Sequence, residues 1–222
     1  MTGRVSTAGR RVEKAGERLR SDAVLQIREV SRYVSRGGEK LEAALDFFAT
    51  VIRDRVCLDA GASTGGFTDC LVVRGARRVY AVDVGYGQLA WSLRSDPRVV
   101  VLERTNVRSL ARDSLDPPPS LVTADLSFVP LRSMLPVLAE LAGPSGELVL
   151  LVKPQFELAR ADVAGGVVED PALRARAVDS VTAACAALQL EVRGTFESPL
   201  PGRDGNIELF VAAVRPAAVA LR

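Results

Sequence analysis

Residues 56–73 constrain this chain more than any other stretch. An apolar run, Val56-Cys-Leu58, leads into Asp59-Ala-Gly-Ala-Ser-Thr-Gly-Gly66 and then into Phe67-Thr-Asp-Cys-Leu-Val-Val73. The order reads as strand, glycine turn, helix. Glycines in such a turn let the backbone approach a ligand closely, and the helix start aims amide N–H groups at it. The next apolar run, Val79-Tyr-Ala-Val82, ends in Asp83. A carboxylate at the tip of the second strand suits the diol of a ribose. Together the two features predict a nucleoside-type cofactor at the carboxyl end of a parallel sheet.

The turn also separates the nucleosides. A dinucleotide fingerprint reads G-x-G-x-x-G and directs a helix start at pyrophosphate. Here the glycines are Gly61, Gly65 and Gly66, with Asp59 ahead of them. A carboxylate facing the ligand disfavours pyrophosphate and suits a cation. S-adenosylmethionine carries an ammonium and a sulfonium and keeps the ribose diol. The expected cofactor is therefore S-adenosylmethionine, with Asp59, the turn from Gly61 through Ser63, Thr64, Gly65 and Gly66 to Phe67, and Asp83 at the centre of its site.

Beyond the turn the chain alternates. Strand-like runs fall at 56–60, 78–84, 99–103, 121–126 and 148–153. Helical stretches fall at 67–74, 88–94, 131–141 and 171–188, with an earlier helix where Leu41, Ala44, Leu45 and Phe48 recur at helical spacing. Such alternation predicts a parallel sheet with helices on both faces. The last two runs, 190–197 and 207–214, are joined by a loop rich in proline and glycine and read as an antiparallel hairpin. The expected fold is α/β, a Rossmann-like class I methyltransferase with a seven-stranded, mostly parallel sheet closed by that hairpin. The expected division is a basic arm at 1–32, one methyltransferase domain at 33–217 and a tail at 218–222. Within the arm, 24–30 reads as a helix.

Composition narrows the chemistry. Histidine is absent, which excludes His-based triads, His general bases and His metal ligands and leaves Lys, Asp, Glu, Tyr or Cys for proton transfer. Cys57, Cys70 and Cys185 are far apart and read as buried thiols in a reducing compartment, with no metal expected. No apolar run approaches the ~18 residues of a membrane span, and the basic N-terminus has no signal-peptide core, so a cytoplasmic chain is expected. Net charge is only +2, yet Arg4, Arg10, Arg11, Lys14, Arg18, Arg20, Arg28, Arg32, Arg36 and Lys40 cluster early. Such an arm can touch phosphates or be a solvated face.

Several segments are similar to the TlyA family: 34–41, 59–69, 82–91, 103–106, 124–128, 151–157, 165–171 and 198–202. That family, once labelled haemolysins, comprises ribosomal RNA 2′-O-methyltransferases with an FtsJ-like catalytic domain. The resemblance covers roughly residues 33 to 215. It implies a catalytic tetrad of Lys40, Asp125, Lys153 and Glu208, and cofactor contacts that add Arg36, Val84, Asn106, Leu126 and Asp125 to the turn residues. Two departures stand out. The family usually begins with a small RNA-binding domain that the first thirty residues do not resemble. Glu39 stands where the family commonly has His.

Methyl transfer from a sulfonium to an alcohol requires the hydroxyl to lose a proton as it attacks. With no histidine, a lysine made less basic by burial or a neighbouring cation can take it. Lys153 is the expected base, Lys40 orients the acceptor, and Asp125 and Glu208 position both. Trp91 is expected in the core or the cofactor wall. Tyr86 either covers the adenosine or does chemistry, and Phe128 and Phe156 wall a pocket or simply pack. Gly165-Gly166 suits a loop hinge. The near-neutral body, the departures and an Ala-, Arg- and Val-rich composition lead to a small hydroxylated metabolite of natural-product biosynthesis as the expected acceptor. Ribosomal RNA is the alternative. A second alternative uses the cofactor as a fixed positive charge in a dehydration or cyclisation, with no methyl moved. A non-catalytic binding protein is disfavoured by the intact tetrad.

Overall fold

The computed structural model describes residues 5–7, 10–12, 16–27 and 32–216. The chain divides into two compact units, Met1–Arg32 and Tyr33–Arg222. In the first, β1 (Val5–Thr7) pairs antiparallel with both β2 (Arg10–Arg11) and β3 (Leu25–Ile27). Within the helix expected at 24–30, residues 25–27 are therefore strand, and 28–30 lie outside the described residues. Seven residues are too few for apolar spacing to choose between helix and strand, and pairing with β1 decides it. The tail expected at 218–222 also lies outside the described residues.

The second unit opens with α1 (Arg36–Phe47) and then alternates. The succession is β4 (Val56–Ala60), α2 (Gly66–Val73), β5 (Arg78–Val82), α3 (Trp91–Arg94), β6 (Val99–Leu102), β7 (Leu121–Ala124), α4 (Leu135–Ala142), β8 (Glu147–Val152), α5 (Pro154–Glu157), α6 (Pro171–Ala187), β9 (Glu191–Glu197) and β10 (Leu209–Val214). The sheet order is β6-β5-β4-β7-β8-β10-β9. The first five strands are parallel, and β10 runs antiparallel between β8 and β9. This is the Rossmann-like methyltransferase architecture expected from the alternation, with the hairpin closing one end. The second strand of the hairpin takes the inner place, as its burial requires: Phe210 to Ala213 are fully buried, while β9 alternates along the sheet edge.

Strand residues point alternately to two cores. Leu58, Val122, Leu150 and Val211 meet Leu135 and Leu138 of α4 and Val181 of α6. Cys57, Val79, Val149, Leu151 and Phe210 meet Leu41 and Leu45 of α1 and Phe67 and Leu71 of α2. Every residue of β4 is buried, Asp59 included. Both faces of the sheet are thus covered and its upper edge is left for loops.

Two helices differ from expectation. The helix expected at 88–94 is a single turn, Trp91–Arg94. Its burial comes from Leu89 and Leu93, whereas Trp91 is 78% exposed and belongs neither to the core nor to the walls of the cavities described below. The helix expected at 131–141 starts as a 3-10 turn, Leu131–Ser133, before α4 proper, with Pro136 in the first α-helical turn.

Candidate active site

The strand order reverses at β4, with β5 on one side and β7 on the other. Chain leaving the carboxyl ends of β4 and β7 therefore diverges, and a crevice opens there. Two adjoining cavities fill it, of about 450 and 390 Å³, with Gly61, Ser63 and Asp125 in the walls of both.

The glycine turn forms the shared wall. Gly61 has φ +86, and a Cβ there would lie 2.4 Å from the Asp125 carbonyl oxygen, so β4 and β7 can splay no closer with any other residue. Gly65 has φ +99, and a Cβ there would strike Leu93 at 2.3 Å. The Gly61 and Ala62 amides donate to the Val82 carbonyl. Asp83 then fastens the turn from β5. Its Oδ2 accepts from the Ser63 amide at 2.7 Å and its Oδ1 from the Gly85 amide at 2.6 Å. Each oxygen keeps a lone pair for a ligand hydroxyl.

Asp59 lies beneath the turn rather than in either wall. It is fully buried, its Oδ2 accepts from Thr68 Oγ1 at 2.7 Å, and its Oδ1 has no hydrogen-bond partner. Burial pushes its carboxyl up to about 7; the Thr68 hydroxyl opposes this, while Asp125 and Asp83 add to it. Gly65 likewise sits behind the turn, packed on α3.

The larger cavity is lined by Arg36, Lys40, Gly61, Ser63, Thr64, Gly66, Phe67, Asp125, Lys153 and Glu208, all named from sequence. The smaller is lined by Asp83, Val84, Asn106, Leu126 and Asp125 together with apolar Val107, Val129 and Met134. The Asn106 carbonyl-type oxygen accepts from the Arg108 amide, leaving its amide nitrogen free to donate.

The four tetrad residues arrive from separate elements and resolve into two ion pairs. Lys40, buried in α1, places Nζ 2.6 Å from Oε2 of Glu208, the buried residue before β10. Lys153, just past β8, places Nζ 2.6 Å from Oδ1 of Asp125, just past β7, and donates to Ser127 Oγ at 2.8 Å. The lysines therefore each hold a carboxylate of their own. Sequence reading missed Ser127, although it sits inside the recognised 124–128 segment, and it missed Arg203, which lines the larger cavity from the β9–β10 loop.

A buried carboxylate ties this region together. Glu157, at the end of α5, accepts from the Leu131 amide and from Arg132 Nη1, and its carbonyl oxygen also accepts from Arg132. It thereby joins the segment after β7 to the segment after β8, which carry Asp125 and Lys153. Phe128 is 91% exposed at φ +65, with its ring 5.3 Å from that of Phe156, at the wall of the smaller cavity. Tyr86 is exposed beneath the Arg104 guanidinium, 4.2 Å from its ring centre. Gly165 and Gly166 both adopt positive φ, and the Gly166 carbonyl is held by the buried Asn206 side chain at 2.8 Å.

Comparison with known proteins places this geometry. The chain is 54% identical over 180 residues to the 16S/23S rRNA (cytidine-2′-O)-methyltransferase TlyA of Mycobacterium tuberculosis, covering 81% of this chain and 67% of that protein. It is 45% identical over 214 residues to YqxC of Bacillus subtilis, covering 95% of this chain and 76% of that protein. That match is longer than the second unit, so it runs into residues before Tyr33. The crystal structure of a protein described as a hemolysin from Lactococcus lactis superposes with a TM-score of 0.82 at 43% identity, covering 84% of this chain and 90% of that one. These relatives overturn the small metabolite expected as acceptor, because they match most of this chain and the M. tuberculosis protein is named for methylating rRNA. The near-neutral body misled because average charge does not report where unpaired cations stand. The profile of FtsJ-like methyltransferases matches residues 33–215, and the chain belongs to that family of SAM-dependent methyltransferases.

Proposed function

We propose that this protein is a ribosomal RNA 2′-O-methyltransferase that uses S-adenosylmethionine. The observation that carries the reading is the convergence of Lys40, Glu208, Asp125 and Lys153 on one cavity that shares a wall with a second lined by Asp83 and Asn106. The activity for which the M. tuberculosis relative is named supports ribosomal RNA as the acceptor.

The residues fit the cofactor. Asp83 offers lone pairs to a ribose diol, and Asn106 a free amide donor and apolar neighbours to an adenine, while Asp59 supports the turn from beneath. Bound S-adenosylmethionine supplies the electrophilic methyl group. The chain's own residues do the rest. Lys153, having first released its own proton to solvent, takes the proton of the ribose 2′-hydroxyl as the neutral amine, with Asp125 and Ser127 fixing the direction of its Nζ. Lys40, held by Glu208, orients that hydroxyl from the opposite pair. Alignment of the reacting atoms supplies much of the rate.

The test uses ribosomal subunits from a strain lacking TlyA activity and tritium-labelled S-adenosylmethionine. The expected result is label at defined cytidine 2′-hydroxyls of the rRNA. Label absent from rRNA in both subunits defeats the reading.

A further inference from the structure

The larger cavity holds four cations and two carboxylates. Lys40 and Lys153 each sit 2.6 Å from one of the carboxylates, Glu208 and Asp125. Arg36 and Arg203 are left over: both line the cavity, both are exposed, and neither has an ion-pair or hydrogen-bond partner among the described residues. The site therefore carries two unneutralised positive charges before any ligand enters.

The two arginines stand at different ends of the chemistry. Arg36 opens α1 beside Gly37, where an added Cβ would lie 3.7 Å from Cα of Gly66 in the cofactor turn. Arg203 follows Gly202, where an added Cβ would lie 2.6 Å from Oε1 of Glu208, so the backbone just before Arg203 packs closely on that member of the tetrad. The turn that presents Arg203 is fastened at its base. The Gly202 amide donates to the Asn206 carbonyl at 2.8 Å, and the buried Asn206 side chain accepts from the Val168 amide at 2.9 Å and donates to the Gly166 carbonyl at 2.8 Å. Asp204, next to Arg203, does not line the cavity.

We infer that Arg203 binds a phosphodiester of the acceptor strand, the one flanking the ribose whose 2′-hydroxyl reaches Lys153. This rests on the proposed RNA substrate. A 2′-hydroxyl sits one carbon from the 3′-phosphodiester, so any nucleotide that delivers it to the tetrad brings an anion to the cavity wall. A planar guanidinium with no partner of its own matches that anion in charge and in fork geometry. The carboxyl group of the cofactor is the other anion due at this cavity, and Arg36, on the turn side, is the cation placed for it.

The experiment compares wild type, Arg203→Gln and Arg203→Lys. It measures methyl transfer to unmodified ribosomal subunits, the salt dependence of subunit binding, and S-adenosylmethionine affinity by calorimetry. Arg203→Gln is expected to raise KM for subunits roughly tenfold and to reduce the log–log salt slope by about 0.7–0.9, the loss of one phosphate contact. Its cofactor affinity should match wild type, and Arg203→Lys should recover the slope. An unchanged KM and slope in Arg203→Gln overturns the assignment, and so does a marked loss of cofactor affinity, which would move Arg203 to the cofactor carboxyl group. If wild type itself labels no rRNA, the RNA substrate has failed, and that result is separate from either outcome for Arg203.

Discussion

Lys153 and Lys40 look equivalent on paper, and their surroundings separate them. Lys40 is buried against Glu208, whereas Lys153 reaches Asp125 and the exposed Ser127 at the junction of the two cavities. Replacing Lys153 by Met or Ala is expected to lower methyl transfer by at least ~10²-fold, the usual worth of a positioned proton acceptor, with calorimetric S-adenosylmethionine affinity nearly intact. Wild-type turnover in either variant would remove Lys153 as the base. Asp59 makes a different kind of prediction. Its carboxyl lies at about 7 in the folded chain against an ordinary 3.8, mainly from burial. A folded value above the unfolded one means the native state holds the proton more tightly. The stabilisation this provides is complete below about pH 4 and is lost as pH rises toward 7. Asp59→Asn removes that dependence. The melting temperature of the variant minus that of wild type, both without ligand, should therefore climb between pH 4 and 7 and level off above. A flat difference would show that burial does not raise the Asp59 carboxyl in the folded chain.

At the scale of elements, the site is built where loops leave parallel strands, and something must hold those loops in register. Glu157 does so between the loop after β7 and the turn after β8. Glu157→Gln keeps an acceptor for the Leu131 amide but surrenders the charge facing Arg132. We expect a lower melting temperature, and a lower transfer rate with little change in cofactor affinity, because Asp83 and the glycine turn lie on other loops. Rate and melting temperature both equal to wild type would show that the latch is not needed. The same scale holds the sequence misreadings. Residues 25–27 form a strand because β1 offers a partner, and α3 is short because Leu89 and Leu93, not Trp91, dock against Gly65. Apolar spacing marks which residues can be buried, and partners in space choose which of them are.

For the whole molecule, net charge is a poor guide to the partner. The chain carries +2, yet cations without partners stand at the active cavity. Binding to ribosomal subunits is expected to fall with salt at a log–log slope of about −0.7 to −0.9 for each phosphate contacted, measured by filter binding from low to moderate ionic strength. A slope near zero would contradict an RNA grip. Among the described residues no helix is long and apolar enough to cross a membrane.

Sequence alone determined the parallel sheet, its hairpin closure, the glycine turn and the carboxylate of Asp83 at the tip of β5, because these depend on local backbone demands and on residues a few positions apart. The four tetrad residues were legible only through resemblance, since 168 positions separate Lys40 from Glu208. Tertiary structure decided how they pair. It also sank Asp59 beneath the turn, put Ser127 on Lys153 and brought Arg203 into the wall of the cavity that the tetrad lines. Each of those facts depends on which loops meet above the sheet, and strand order, not spacing along the chain, sets that meeting.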